Sequence, residues 1–125
     1  LLDVHDDLYG VLKKNAIDIA FIALHGRFGE DGTAQKILED LKIPYTGSGP
    51  KASRVALDKA LTKAIFERYK IPSPRYIIFE KDDFKAEDCY DLGFPMVVKP
   101  HLEGSSIGLS VVGDKDKLPE AIEKA

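Results

Sequence analysis

The chain has 125 residues, with 18 Lys or Arg against 21 Asp or Glu, a net charge of −3 and a pI of about 5.6. That balance, with 44% hydrophobic and 31% charged residues, is that of a soluble globular chain; it lacks the basic excess of a general nucleic-acid or membrane-surface binder. One cysteine, Cys89, excludes an internal disulfide and fits a reducing compartment.

The opening "LLDVHDDLYGVLKKN" puts Leu1, Leu8, Val11 and Leu12 at helical spacing, so a helix is expected over residues 3–14, already under way where the sequence starts. "IDIAFIAL", residues 17–24, is β-branched and mostly apolar, the kind of run buried in a parallel sheet. It is the longest apolar run, is interrupted by Asp18, and is too short to span a bilayer. The glycine-rich loop "HGRFGEDG" follows. "TAQKILEDLK" then places Ala34, Ile37, Leu38 and Leu41 on one helical face, with Asp31 or Thr33 as the expected cap and Glu30 and Asp31 at the positive helix end. "IPYTG" reads as a short strand. A strand–loop–helix–strand order implies a right-handed crossover and a parallel sheet.

In "GPKASRVALDKALTKAIFERYK", Ala52, Ala56, Ala60 and Ala64 recur every fourth residue beside Leu57, Leu61, Ile65 and Tyr69. The rows predict a long helical segment with one wide apolar face, broken near Leu57 and Asp58, where the aspartate can cap a second helix. "IPSPRY" is the expected domain boundary, because two prolines one residue apart force extended backbone. Residues 1–71 thus read as part of an α/β domain with a parallel sheet, and residues 72–125 as the start of an α+β domain. In the latter "YIIFE" is an expected strand and "KAEDCYDLG" a short helix ended by Gly93. "PMVVKP" and "LSVVGD" are strands, antiparallel because a loop joins them directly. A final helix from Asp116 carries no stop signal, so the chain reads as incomplete at both ends.

Three stretches can carry chemistry. Lys99 ends a strand, Pro100 stops the ladder, and "HLEGSSIG" supplies Gly104, Ser105, Ser106 and Gly108. Close backbone N–H groups, hydroxyls and a lysine are what hold phosphate, and a flexible loop of this kind can close over a nucleotide; a loose surface hairpin has the same composition. The spacing is not that of a Walker A loop. His25 follows the run 17–24, where a parallel sheet places ligands beyond its strand ends, and the next helix start can bind an anion; the alternative is an ordinary turn. Lys59 and Lys63 stand one turn apart and face either an anion or water. Cys89 is expected to be inert, because Asp88 and Asp91 raise its pKa. Glu30, Asp31 and Glu103 have no clear carboxylate partner, and no metal-ligand spacing stands out.

Taken in order, "ALHGRFGEDGT", "IPYTGSG", "ALDKALTK", "IPSPRY" and "LGFPMVVKPHLEGSSIGLSVV" resemble the D-alanine–D-alanine ligase family of ATP-grasp enzymes over nearly all of residues 17–125. The resemblance implies the end of a Rossmann-like, substrate-binding N-terminal domain followed by the start of the ATP-grasp central domain. It implies ATP-dependent joining of two D-alanines through a D-alanyl phosphate, for peptidoglycan and cell-wall synthesis in the cytoplasm, by a homodimer with no nucleic-acid or membrane partner. Lys59 and Lys99 match the family's phosphate-gripping lysines. Glu103, Gly104, Ser105 and Ser106 match its ATP-covering loop, with Ser105 between that loop and the substrate. His25 and Gly26 match the first D-alanine site. His25 and Ser105 are the implied catalytic residues. Mg²⁺ is implied with the ATP, its ligands expected beyond Ala125, as the substrate-ammonium glutamate is expected before Leu1. The 125 residues alone are therefore expected to be inactive. Glu103 favours the dipeptide enzyme over a D-alanine–D-lactate ligase. Another carboxylate–amine ligase of the ATP-grasp type, or a non-catalytic nucleotide-binding module, is the alternative.

Overall fold

A computed structural model describes residues 7–80 and 84–125. The chain divides into two compact units, the first ending at Leu57 and the second beginning at Asp58. The "IPSPRY" segment, where the sequence pattern changes, lies inside the second unit.

In the first unit, helix α1 (Leu8–Lys14) starts where the Asp7 carboxylate accepts the Gly10 N–H at 2.8 Å. The expected beginning of this helix, residues 3–6, lies outside the described residues. Leu8 and Leu12 of α1 meet Ala34 and Leu38 of α2 (Thr33–Asp40) in a small core, with Ile22, Leu24, Ile37 and Tyr45 partly buried against it. The parallel pairing expected between residues 17–24 and "IPYTG" is present as one bridge, Ala20 with Tyr45. The Ala20 N–H donates to the Pro44 carbonyl at 2.8 Å, and the Thr46 N–H donates to the Ala20 carbonyl at 3.0 Å. The full strands expected there do not form among the described residues. A ladder needs donors on both sides, and Pro44 has none to give. Nor is the run buried on both faces: Ile19 is 64% and Phe21 80% exposed, while Ala20, Ile22 and Leu24 turn toward the core. Helix α3 (Pro50–Leu57) packs beside α2.

The second unit opens with helix α4 (Lys59–Arg68), capped as expected by Asp58, whose carboxylate accepts the Leu61 N–H at 3.0 Å. The break at Leu57 is therefore real. The wide apolar face expected along α3 and α4 is not covered: neither helix has a buried residue among those described. After α4, residues 71–80 form neither helix nor strand. "YIIFE" forms no strand, because none of the described residues supplies its ladder partner, and Ile78 stays exposed. A 3₁₀ helix (Ala86–Leu92) ends at Gly93. Strands β1 (Met96–Val98) and β2 (Ser110–Val112) pair antiparallel, as expected, in the register Met96 with Val112, Val97 with Val111 and Val98 with Ser110. Period-two alternation turns Val98 and Val112 inward and leaves Val97 and Val111 exposed. Helix α5 (Leu118–Lys124), entered by a 3₁₀ turn (Lys115–Lys117), closes over the inward face with Leu118, Ala121 and Ile122. Cys89 completes this core. The hairpin thus has a rigid base, and the long loop between its strands springs from it.

Candidate functional site

The first stretch is the loop that precedes α2. It is tied to itself: the Glu30 N–H donates to the Gly26 carbonyl at 2.9 Å, and the Gly26 N–H donates to the Glu30 carboxylate at 2.8 Å. Buried Gln35 donates from Nε2 to the Gly29 carbonyl at 2.7 Å. Gly32 precedes α2 with a φ of 91°, and a Cβ there would stand 2.3 Å from the Pro50 carbonyl oxygen, so a side chain would part the loop from the start of α3. At the helix start the Asp31 carboxylate accepts the Thr33 N–H at 2.9 Å, and the Phe28 carbonyl accepts the Ala34 N–H at 3.0 Å. Burial pushes the Asp31 carboxyl up, but its hydrogen bonds to Thr33 and Phe28 and the Arg54 charge outweigh that and hold it below its ordinary value. The chain's own carboxylate thus supplies the negative charge that a helix start favours. His25 stands exposed at the mouth of this loop, with Gly26 half-buried behind it. Gln35 escaped the sequence reading, although a polar residue beside Ala34 on the buried face of α2 was its signal.

The second stretch is the loop between β1 and β2. Lys99, directly after β1, is exposed, and Pro100 takes the chain out of the ladder. Gly104 to Ile107 form a tight turn in which the Ile107 N–H donates to the Gly104 carbonyl at 3.0 Å. Its two central residues, Ser105 and Ser106, both lie in the left-handed region, with φ of 52° and 62°. Two successive positive φ values in a four-residue turn are normally the place of Gly or Asn; for serine such a conformation costs about 1–3 kcal/mol per residue. Both serines are exposed. Gly108, φ 69°, lets the loop's end fold onto its start: a Cβ there would come within 2.7 Å of the Pro100 ring.

Helix α4 meets this loop at its first residue. The Lys59 N–H donates to the His101 carbonyl at 3.0 Å. The Lys59 ammonium donates to the Glu103 carbonyl at 2.5 Å and to the His101 carbonyl at 3.4 Å. Burial first, and then the neighbouring Lys99 charge, push the Lys59 pKa down; Glu103 and Asp58 pull the other way without restoring it. The fold therefore brings Lys59, Lys99, Glu103 and the glycine–serine turn together, with two ammonium groups set close enough to repel and two carboxylates, Glu103 and Asp58, opposing them. An anion bridging the two ammonium groups would relieve their repulsion, and a phosphate offers the oxygens that lysines and turn N–H groups can hold. Lys63, half-buried, does not reach the loop: it donates to the Ser73 hydroxyl and, at 3.1 Å, to the Pro74 carbonyl, both at exposed positions, and lies 5.1 Å from the Tyr76 ring centroid. Cys89 is buried, and that burial, with Asp88, pushes its thiol pKa up, as its inert reading requires. Among the described residues no His, Cys, Asp or Glu cluster is gathered as a metal site, and no helix is long and apolar enough to cross a membrane.

Fold and site together define a mixed helix-and-sheet protein with a lysine-flanked glycine–serine loop. Two family models match it, the D-ala D-ala ligase N-terminus over residues 5–48 and the D-ala D-ala ligase C-terminus over residues 65–125. The chain belongs to the D-alanine–D-alanine ligase family. It is 45% identical over 132 residues to the D-alanine–D-alanine ligase of Pelotomaculum thermopropionicum, covering 99% of this chain, and 53% identical over 115 residues to that of Cupriavidus pinatubonensis, covering 91%. It spans 42% and 35% of those relatives' own lengths. Its backbone is similar to the crystal structure of D-alanine–D-alanine ligase from Bacillus anthracis complexed with ATP, with a TM-score of 0.77 at 41% identity, over 94% of this chain and 38% of that one.

Proposed function

We propose that the protein to which these residues belong joins two D-alanines at the expense of ATP. The observation that carries this is the pairing of Lys59 with the Glu103 carbonyl beside Lys99, in a chain about half identical to curated D-alanine–D-alanine ligases. The γ-phosphoryl group of ATP passes to the carboxylate of the first D-alanine. The amine of the second attacks the resulting acyl phosphate, and the dipeptide, ADP and inorganic phosphate leave. Phosphoryl transfer needs charge neutralisation and positioning more than covalent catalysis. Lys59 and Lys99 supply the charge, and Glu103, Gly104, Ser105 and Ser106 cover the nucleotide, with Ser105 reaching toward the reacting carboxylate. His25 and Gly26 hold the first D-alanine. Mg²⁺ accompanies ATP and adds charge neutralisation there; its ligands are assigned to none of the residues in this chain.

In this reading residues 1–71 belong to a substrate-binding α/β domain with a parallel sheet, and residues 72–125 begin an ATP-grasp domain with antiparallel strands. The enzyme works in the cytoplasm as a homodimer, in peptidoglycan synthesis, and the 125 residues alone release no phosphate. The test is to supply the full-length protein with Mg-ATP and D-alanine and to follow ADP and dipeptide by mass spectrometry. Equimolar ADP and D-alanyl-D-alanine are expected, with loss of both in Lys99→Ala. ATP turnover independent of D-alanine, or a preference for D-lactate as second substrate, would refute it.

A further inference from the structure

Helix α4 presents Lys59, Lys63 and Glu67 at successive four-residue steps, one row on one face. Lys59 holds the phosphate loop through the His101 and Glu103 carbonyls. One turn on, Lys63 holds the linker through Ser73 and the Pro74 carbonyl, and its ammonium lies over the Tyr76 ring. A turn further, the Glu67 carboxylate accepts the Tyr76 hydroxyl at 2.8 Å. No residue of α4 is buried among those described, and Leu61 and Ile65 are exposed. From Ile71 to Glu80 only Tyr76 is partly covered. The far end of the linker is seated by the Phe79 ring, 4.4 Å from that of Phe84, and by Arg75, which donates to the Asp91 and Leu92 carbonyls, and its near end by the Ile71 N–H, which donates to the Phe66 carbonyl at 2.8 Å; between them the polar row ties the linker to the face of α4 that carries Lys59.

We infer that Lys63 and Tyr76 are positioning residues for the nucleotide grip. The clamp of α4 on the linker fixes where the helix stands, and the helix carries Lys59 to the loop. Lys63 is assigned no phosphate contact in this reading: two of its three N–H donors go to the Ser73 hydroxyl and the Pro74 carbonyl. The inference rests on the ATP-binding reading of Lys59 and Lys99.

The test uses the full-length enzyme with Lys63→Met, Tyr76→Phe, the double variant and Lys63→Arg. Lys63→Met keeps the aliphatic stem and loses the charge; it is expected to raise KM for ATP about tenfold, the value of a lost charge-assisted hydrogen bond, and to leave KM for D-alanine unchanged. Lys63→Arg, which can still donate to the Pro74 carbonyl and stack on Tyr76, is expected to restore most of it. The double variant is expected to do less than the product of the two single effects, since both break one clamp. An unchanged KM for ATP in Lys63→Met alongside a lowered Tm would reduce Lys63 to a structural residue and overturn the proposal. Multiplicative effects of Lys63→Met and Tyr76→Phe with a collapse of kcat would make Lys63 a direct phosphate ligand and overturn it equally. A wild-type enzyme that turns over no ATP with D-alanine would instead refute the reading on which the clamp rests.

Discussion

Lys59 carries a positive charge where the fold makes one hard to hold. Its ammonium is partly withdrawn from water and faces Lys99; the Glu103 and Asp58 charges oppose this without cancelling it, and the ammonium donates to the His101 and Glu103 carbonyls. The pKa therefore sits below its ordinary value of 10.5. The sign of the linkage follows. The unfolded chain holds this proton more tightly than the folded one, so stability rises with pH from the depressed pKa up to 10.5, and below that window the charge is a standing cost. An anion on the two lysines reverses the shift. Direct NMR titration of the Lys59 side chain in the full-length enzyme is expected to show its pKa rising toward 10.5 in Lys99→Met, and rising again in wild type when ATP is bound. A Lys59 pKa indifferent to both changes would remove the electrostatic case for a shared phosphate site. The sequence gives the identities of these residues but not their coupling: Lys59 and Glu103 are 44 residues apart, and only the docking of α4 on the loop joins them.

At the scale of elements, what was legible followed from local rules. The stripe of Ala34, Leu38 and Leu41 located α2, the Asp58 cap located the break before α4, and two valine-rich runs around a glycine loop located the hairpin with its antiparallel sense. What was not legible depends on partners. The runs at residues 17–24 and 76–80 have strand composition, but a strand is made by its neighbour's hydrogen bonds, and among the described residues the first has one bridge and the second none. The apolar rows of α3 and α4 likewise say that a face wants covering, not what covers it. The hairpin itself is held by α5. Leu118 is fully buried against Val98 and Val112, so Leu118→Ala is expected to cost about 2–5 kcal/mol in denaturant unfolding, whereas Val111→Ala, on the exposed face, is expected to cost about 0.5 kcal/mol or less. Equal losses would show that α5 does not anchor the strands that carry Lys99.

At the scale of the whole molecule, the two compact units each carry one half of the candidate chemistry: the His25 loop belongs to the first, and Lys59, Lys99 and the serine turn to the second. Composition alone left each of these open between a ligand-binding role and an ordinary turn or solvated lysine. Their company in one chain, in this order, made the family legible, and both family models match accordingly. The central claim is that a D-alanine carboxylate is activated as an acyl phosphate. In that step a carboxylate oxygen bonds to phosphorus, and it departs with the phosphate when the second amine attacks. The decisive measurement gives the full-length enzyme ATP and D-alanine labelled with ¹⁸O in its carboxylate, and reads the released inorganic phosphate by mass spectrometry. One ¹⁸O per phosphate is expected. Phosphate that carries no label, from an enzyme that still makes the dipeptide, would contradict the account.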